Sequence, residues 1–209
     1  MPTLLSESIV TLEFADLLNR RPIARPSKPH ARSAGLHQSG ILAHIAQQNG
    51  QLKVGERLEE DMPTIFALGF AWEEYCVSLY PGIDWQPGEL IKDEIGVSAD
   101  GLSIGEDGMP QVEEFKYTTK RIQTGIEFLE SQWMWQHQGR AYCHCYGALV
   151  ERWHVMYSRG GKIDGVYEYW PVYKQFVVRF SRAETKATWS MLCNHKEAAR
   201  AAGKEEIGL

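Results

Sequence analysis

The sequence predicts an α/β (α+β) fold, a central mixed β-sheet flanked by helices. The first observation behind this is the order of periodic segments, αα–ββ–α–ββ–α, which interleaves the two element types. The second is composition: 44% hydrophobic residues with seven Trp supply a packed core and exclude a disordered chain. The third is that no apolar run approaches the ~20 residues of a membrane span, so the apolar segments are core strands and helices. The length fits one domain, residues 1–209, with a basic N-terminal arm over about 17–55.

Within the arm, Pro22, Pro26 and Pro29 of RRPIARPSKPHARS forbid a continuous helix and imply an extended, polyproline-like segment. After it GLHQSGILAHIAQQ reads as a short helix, and MPTIFALGFAWEEYCVSLY as a longer one opened by Pro63. PGIDWQPGE is turn material. Two strands follow at about Ile95–Ile104 and Pro110–Tyr117, joined by GEDGM. A long helix is predicted over roughly Thr124–Leu149, where Ile126, Leu129, Trp133 and Gln136 recur at helical spacing. ERWHVMYS and YKQFVVRFS read as strands with GGKIDG as the turn between them. A last helix, rich in Ala, Glu and Lys, begins near Arg182.

The formal charge of −5 argues against a generic coat for nucleic acid, but the charge is unevenly placed. No acidic residue falls between Asp16 and Glu56, while Arg20, Arg21, Arg25, Lys28, Arg32 and Lys53 do. A basic strip on an acidic protein suits a polyanion met at one place; a solvated, proline-broken arm without a partner is the competing reading. The N-terminal stretch lacks a leading basic region followed by an uninterrupted apolar core, so no signal peptide is expected. Four unevenly spaced cysteines, Cys76, Cys143, Cys145 and Cys193, predict reduced thiols in a cytoplasm. YCHCY and CNH offer Cys143, His144, Cys145, Cys193 and His195 to a metal. Yet two cysteines two apart on a helix diverge by about 200°, and no C-x-x-C occurs, so buried thiols are expected. Trp133 and Trp135 have the rings to stack on unpaired bases, but core packing or an oligomer contact is their expected use.

The segment that carries chemistry is GVSADGLSIGEDGMPQVEEFKYTTK. Strands are depleted in Asp, Glu and Lys, yet this hairpin holds Asp100, Glu114 and Lys116. With Gly105–Met109 as the loop, Ile104 pairs with Pro110 and Asp100 lies directly opposite Glu114, their Cβ atoms ~5 Å apart. Lys116 then points to the same face and Glu113 to the other. Two carboxylates that close repel unless a proton or cation sits between them. Hard, acceptor-only oxygens suit Mg²⁺, with Mn²⁺ as a substitute. A lysine at the edge of such a site orients or deprotonates an attacking water, or stabilises charge on a phosphoryl group. The competing reading is a solvent-facing, salt-bridged hairpin; Val97, Ala99, Gly101 and Phe115 among the charges argue for a buried face.

VSADGL followed by EEFK resembles the paired motif of the PD-(D/E)XK nuclease superfamily, an aspartate on one strand and Glu-x-Lys on the next. The wider pattern resembles its λ-exonuclease, YqaJ and RecB-like branch. GFAWE, Gly69 to Glu73, is similar to that branch's G-x-x-x-E helix motif, with Tyr80 at the spacing of a recurrent aromatic. Glu74 is the weaker substitute for Glu73. QGRAY, Gln138 to Tyr142, is similar to the Q-x-x-x-Y motif, and at i and i+4 its two ends share a helix face. The resemblance covers roughly Ile65–Leu149. It departs at Ala99, where a proline often precedes the aspartate, and at YTTK, where relatives frequently carry Cys-Pro. Neither departure removes a metal ligand.

The resemblance implies a restriction-endonuclease-like core and a single nuclease domain that hydrolyses DNA phosphodiester bonds with Mg²⁺. It implies that Asp100, Glu114 and the Phe115 carbonyl hold one ion, while Glu73 completes that site or holds a second. Lys116 would position water, and Gln138 and Tyr142 would contact the Glu114–Lys116 strand or a phosphate. The implied role is an exonuclease acting on double-stranded DNA ends in phage-type recombination or repair. Arg25, Lys28, Arg32 and Ser39 are the candidate contacts to the DNA backbone or a terminal phosphate. A homo-oligomer and a single-strand annealing protein are partners in keeping with such nucleases; a membrane is not. The alternative is a catalytically inactive nuclease-fold domain that binds nucleic acid or a protein partner.

Overall fold

The computed structural model describes residues 1–10, 34–51, 69, 72, 73, 75–77, 79, 80, 82–85, 87–118, 121, 122, 125–159, 161–163, 165–168 and 171–206. The basic residues Arg20, Arg21, Arg25, Lys28, Arg32 and Lys53, with Pro63 and Glu74, lie outside the described residues.

In chain order the strands are β1 (Thr3–Val10), β2 (Gly35–Leu36), β3 (Asp84–Trp85), β4 (Leu90–Lys92), β5 (Ile95–Val97), β6 (Gly101–Ile104) and β7 (Pro110–Thr118). They continue with β8 (Val150–Tyr157), β9 (Gly161–Ile163), β10 (Val166–Glu168), β11 (Val172–Arg179) and β12 (Glu205–Glu206). The helices are α1 (Gln38–Gln48), α2 (Gly125–Ser131), α3 (Trp133–Tyr146) and α4 (Arg182–Ala201), with further helical residues within 69–79. Six strands form a mixed sheet in the order β1–β11–β8–β7–β6–β3. Within it β7 and β8 run parallel and the other pairs antiparallel. A parallel pair needs a long crossover, and α2 and α3 supply it. The predicted α/β fold, a central mixed sheet flanked by helices, is the one observed.

Strand alternation sorts the side chains into two layers. Val112, Glu114 and Lys116 share a face with Glu151, Trp153 and Val155; Glu113 and Phe115 share the other with Arg152 and His154. Against the first face, Phe128, Leu129, Ala141, Tyr142 and Leu192 of the helices close the main core over Trp153, Val155, Tyr157 and Phe176. Against the second, Trp72 and Cys76 pack on Phe115 and Tyr173, and the Trp72 indole donates to the His154 carbonyl at 3.1 Å. α4 starts where predicted, because Ser181 and Glu184 form a capping box: the serine hydroxyl accepts the Glu184 N–H, and the Glu184 carboxylate takes the Ser181 N–H.

Several predicted elements are corrected. The helix expected over Thr124–Leu149 breaks at Gln132, whose ψ of 57° is non-helical. At the break the Leu129 carbonyl accepts the Gln132 N–H at 3.1 Å and also the Gln136 side-chain amide. α3 stops at Gly147, whose φ of 71° is the left-handed conformation glycine adopts cheaply. The strand expected over Ile95–Ile104 divides at 98–100, where the Tyr146 hydroxyl accepts the Ala99 N–H and donates to the Gly88 carbonyl. PGIDWQPGE, read as turn, holds the edge strand β3, and GGKIDG contributes to the β9–β10 hairpin. β1, left unassigned by the sequence, pairs with β11 along its whole length.

Candidate functional site

The hairpin register is the one the loop length predicts: Ile104 pairs with Pro110 and Gly101 with Glu113. Asp100 stands one residue before β6, opposite Glu114. There the ladder is completed by a side chain, since Asp100 Oδ2 accepts the Phe115 N–H at 2.8 Å. In an extended strand the N–H and C=O of one residue face the same edge, so the Phe115 carbonyl lies on the edge that Asp100 occupies. Gly101 makes room for Ile83 beside the hairpin; a Cβ there would come 2.5 Å from Ile83 Cγ2.

Lys116 Nζ forms a close ion pair with Glu114 Oε1, donates to Gln138 Oε1 at 2.9 Å, and sits 5.7 Å from the centroid of the Trp135 ring. Gln138 in turn donates to the Tyr142 hydroxyl at 2.8 Å. The i, i+4 pair on α3 therefore reaches the β7 lysine as one unit. Trp133 and Trp135 pack against the main core.

Two adjacent glutamates receive opposite treatment. Glu113 is fully buried on the far face, and its oxygens take donors from Ser103, Gln111 (2.8 Å), His154 (2.7 Å) and Arg152 (3.5 Å). His154 extends that network to the Tyr173 hydroxyl at 2.6 Å, and Tyr173 lies 3.0 Å from the Tyr80 hydroxyl. Burial alone would raise the Glu113 pKa, but His154, Arg152 and Ser103 outweigh it and hold the carboxylate below its ordinary range. Glu114 is buried, and its Oε2 meets no donor other than a proton it could share with the Asp100 carboxyl. Burial first, then the Asp100 carboxyl close enough to share a proton, push Glu114 up to about 8, against the pull of Lys116. For Lys116, burial would lower the pKa, but Glu114 and Asp100 outweigh it and keep an ammonium at neutral pH.

The sequence missed a third acid. Glu151 is fully buried on β8, where the Trp153 indole is the donor near its carboxyl. It lies under α3, where a Cβ on Gly139 would come 1.7 Å from its Oε2. Burial and then the Glu114 charge raise its pKa well above the carboxylate range. The signal that could have found it is the one that marked the hairpin, a charged residue inside a strand read as core.

Asp100, Glu114, Phe115, Lys116, Gln138 and Tyr142 thus come together. Glu73 is half-buried on the 69–79 segment, whose Trp72 and Cys76 cover the opposite face of the sheet. Ser39 lies half-buried in the first turn of α1, and Arg25, Lys28 and Arg32 are outside the described residues. The four cysteines are free thiols; Cys76 and Cys143 are buried as expected, whereas Cys145 and Cys193 are only half-buried.

Among the described residues no group of three or more His, Cys, Asp or Glu side chains is placed to hold a metal ion. Two carboxylates and one carbonyl do fit Mg²⁺, which binds through one or two carboxylates and retains several waters. They do not fit a metal that needs an all-protein cage. Glu114 Oε2 is the atom whose burial such an ion would offset.

No family model and no curated protein matches the chain. Among solved structures it is similar to one described as "Crystal structure of SSO0001", at 11% identity and a TM-score of 0.46, covering 90% of this chain and 81% of that one. Among the described residues no helix is long and apolar enough to cross a membrane.

The raised Glu114 pKa has a consequence for stability. An acid whose pKa rises from 4.5 to about 8 on folding gives the folded protein the extra proton, so stability falls as pH rises through that window. Thermal unfolding in a chelator is expected to show Tm decreasing from pH 5 to pH 8, and Glu114→Gln is expected to flatten the decrease. A slope equally steep in the variant would place the proton elsewhere.

Proposed function

We propose that the chain is a metal-dependent deoxyribonuclease that hydrolyses DNA phosphodiester bonds, with Asp100, Glu114 and the Phe115 carbonyl as ligands of Mg²⁺. The observation that carries this reading is the contrast between Glu113, saturated with donors, and Glu114, buried beside a second carboxyl with an oxygen left over. A purely structural carboxylate would resemble Glu113. Bound there, Mg²⁺ would supply a Lewis acid that makes water more acidic and neutralises phosphoryl charge.

The chain's own groups do the rest. Lys116 commits two of its three N–H donors, to Glu114 and Gln138, leaving one for a water or a phosphate oxygen. Because its pKa is raised, it orients and stabilises charge and does not abstract a proton. Gln138 fixes the ammonium, and Tyr142 fixes Gln138. The motif series resembling the λ-exonuclease and RecB-like branch supports a finer reading. In it the protein is an exonuclease of double-stranded ends, serving phage-type recombination or repair in a cytoplasm, with the Arg20–Lys53 strip receiving DNA.

The test is digestion of end-labelled linear duplex against covalently closed circular DNA, with Mg²⁺ and with EDTA. Loss of the linear substrate alone, stopped by EDTA and restored by Mg²⁺, is expected. A shifted band without products would instead favour an inactive binding domain.

A further inference from the structure

A second site lies at the other end of β7. A pocket of about 380 Å³ opens beside Pro110, six residues and about 20 Å along the strand from Lys116. Arg179, Arg182 and Lys186 line it, with Thr185 between the last two and Met109 and Leu149 among its apolar residues. We propose that this pocket binds an organic phosphate of mononucleotide size, its phosphate on Arg182 and Lys186 and its apolar body on Met109 and Leu149. The inference does not rest on the nuclease reading.

Three observations support it. Arg182 and Lys186 stand at i and i+4 on α4, where like charges repel. Both are exposed, and neither has an acidic partner among the described residues. An arrangement that costs stability on a protein of charge −5 is accounted for by an anion that relieves it. The start of a 20-residue helix adds its own positive potential at Arg182. The Ser181–Glu184 box already takes the Ser181 and Glu184 N–H groups, so the Arg182 and Lys186 side chains would be the main hold on the anion. Asp107 is the acid of the lining, and it meets Arg179 at a loose 3.8 Å with both groups about half exposed. A doubly charged phosphate would displace it.

The size and lining select the rest of the ligand. The volume falls within the few hundred Å³ typical of small-molecule sites, which are mostly apolar with a few placed polar groups. Inorganic phosphate would leave the apolar part empty, and a sugar phosphate would bury hydroxyls there without partners.

Calorimetric titration of the full chain in EDTA, which keeps metal from bringing phosphate to the Asp100–Glu114 site, tests this. The probes are dAMP, deoxyadenosine, inorganic phosphate and glucose 6-phosphate. The expected result is that dAMP binds at least tenfold more tightly than any of the other three. The Arg182→Glu/Lys186→Glu double variant should lose at least tenfold in dAMP affinity with its unfolding temperature and DNA digestion unchanged. Undetectable dAMP binding at millimolar concentration, equal binding of deoxyadenosine, inorganic phosphate or glucose 6-phosphate, or full affinity in the double variant would each overturn the assignment.

Discussion

Lys116→Ala and Glu114→Gln are each expected to slow Mg²⁺-dependent DNA digestion by about 100-fold or more, the usual loss when a positioned charge-stabilising group is removed. The two act through different terms. Lys116→Ala deletes the ammonium that in the proposed mechanism would face the reacting phosphate, and leaves Glu114 buried without its counter-ion. Glu114→Gln keeps the shape and removes the charge that would attract the cation. The glutamine is chosen over alanine because its amide oxygen can still accept from Lys116, an acceptor that truncation would also remove. Gln138→Ala should lose about tenfold and Tyr142→Phe less, since they act on Lys116 at one and two hydrogen bonds' remove. Initial rates on linear duplex, corrected for folded fraction by circular dichroism, give the comparison. Rates within threefold of wild type for both Lys116→Ala and Glu114→Gln would remove the pair from the chemistry.

Gly139→Ala is expected to destabilise the fold by about 1–3 kcal/mol or more, the cost of overpacking a buried site. The added methyl would sit 1.7 Å from Glu151 Oε2 and 2.4 Å from its carboxyl carbon, both inside the core under α3. For a chain of this size that is a fall in Tm of roughly 2–4 °C per kcal/mol. Helix propensity predicts the opposite sign, because Ala is favoured over Gly by about 1 kcal/mol in a helix interior. The observed direction therefore decides which effect wins. Glu151→Ala vacates the space, so in the double variant the cost of Gly139→Ala should vanish or reverse. Additive effects of the two substitutions would mean that α3 and β8 are not in contact as described.

The parts of the fold legible in the sequence were those fixed by local rules. Loop length set the β6–β7 register, and alternation then placed Asp100, Glu114 and Lys116 on one face and Glu113 on the other. The start of α4 near Arg182 and the i, i+4 pair Gln138–Tyr142 are local in the same sense. What escaped depends on partners distant in the chain. Glu113 is satisfied by His154 and Arg152, about forty residues on, and nothing near Glu113 announces them. The break at Gln132 carries no Gly or Pro, and the Gln136 side chain bonds across it. β3 is two residues long and owes its existence to β6, and Glu151 is read as an ordinary strand residue until α3 is seen to close over it. For Glu73 the motif spacing is local, but how its segment lies on the sheet depends on Trp72 and Cys76 packing on Phe115 and Tyr173, which the spacing does not announce.

If the buried Asp100–Glu114 pair is the proposed Mg²⁺ site, it makes a prediction no salt-bridged hairpin shares. Loss of the free Mn²⁺ resonance signal should show wild type taking up the ion near neutral pH. Asp100→Asn and Glu114→Gln should each weaken uptake at least tenfold, and Lys116→Ala, which removes a competing positive charge, should strengthen it. Mn²⁺ uptake that is absent in wild type, or unchanged in both carboxyl variants, would contradict the reading.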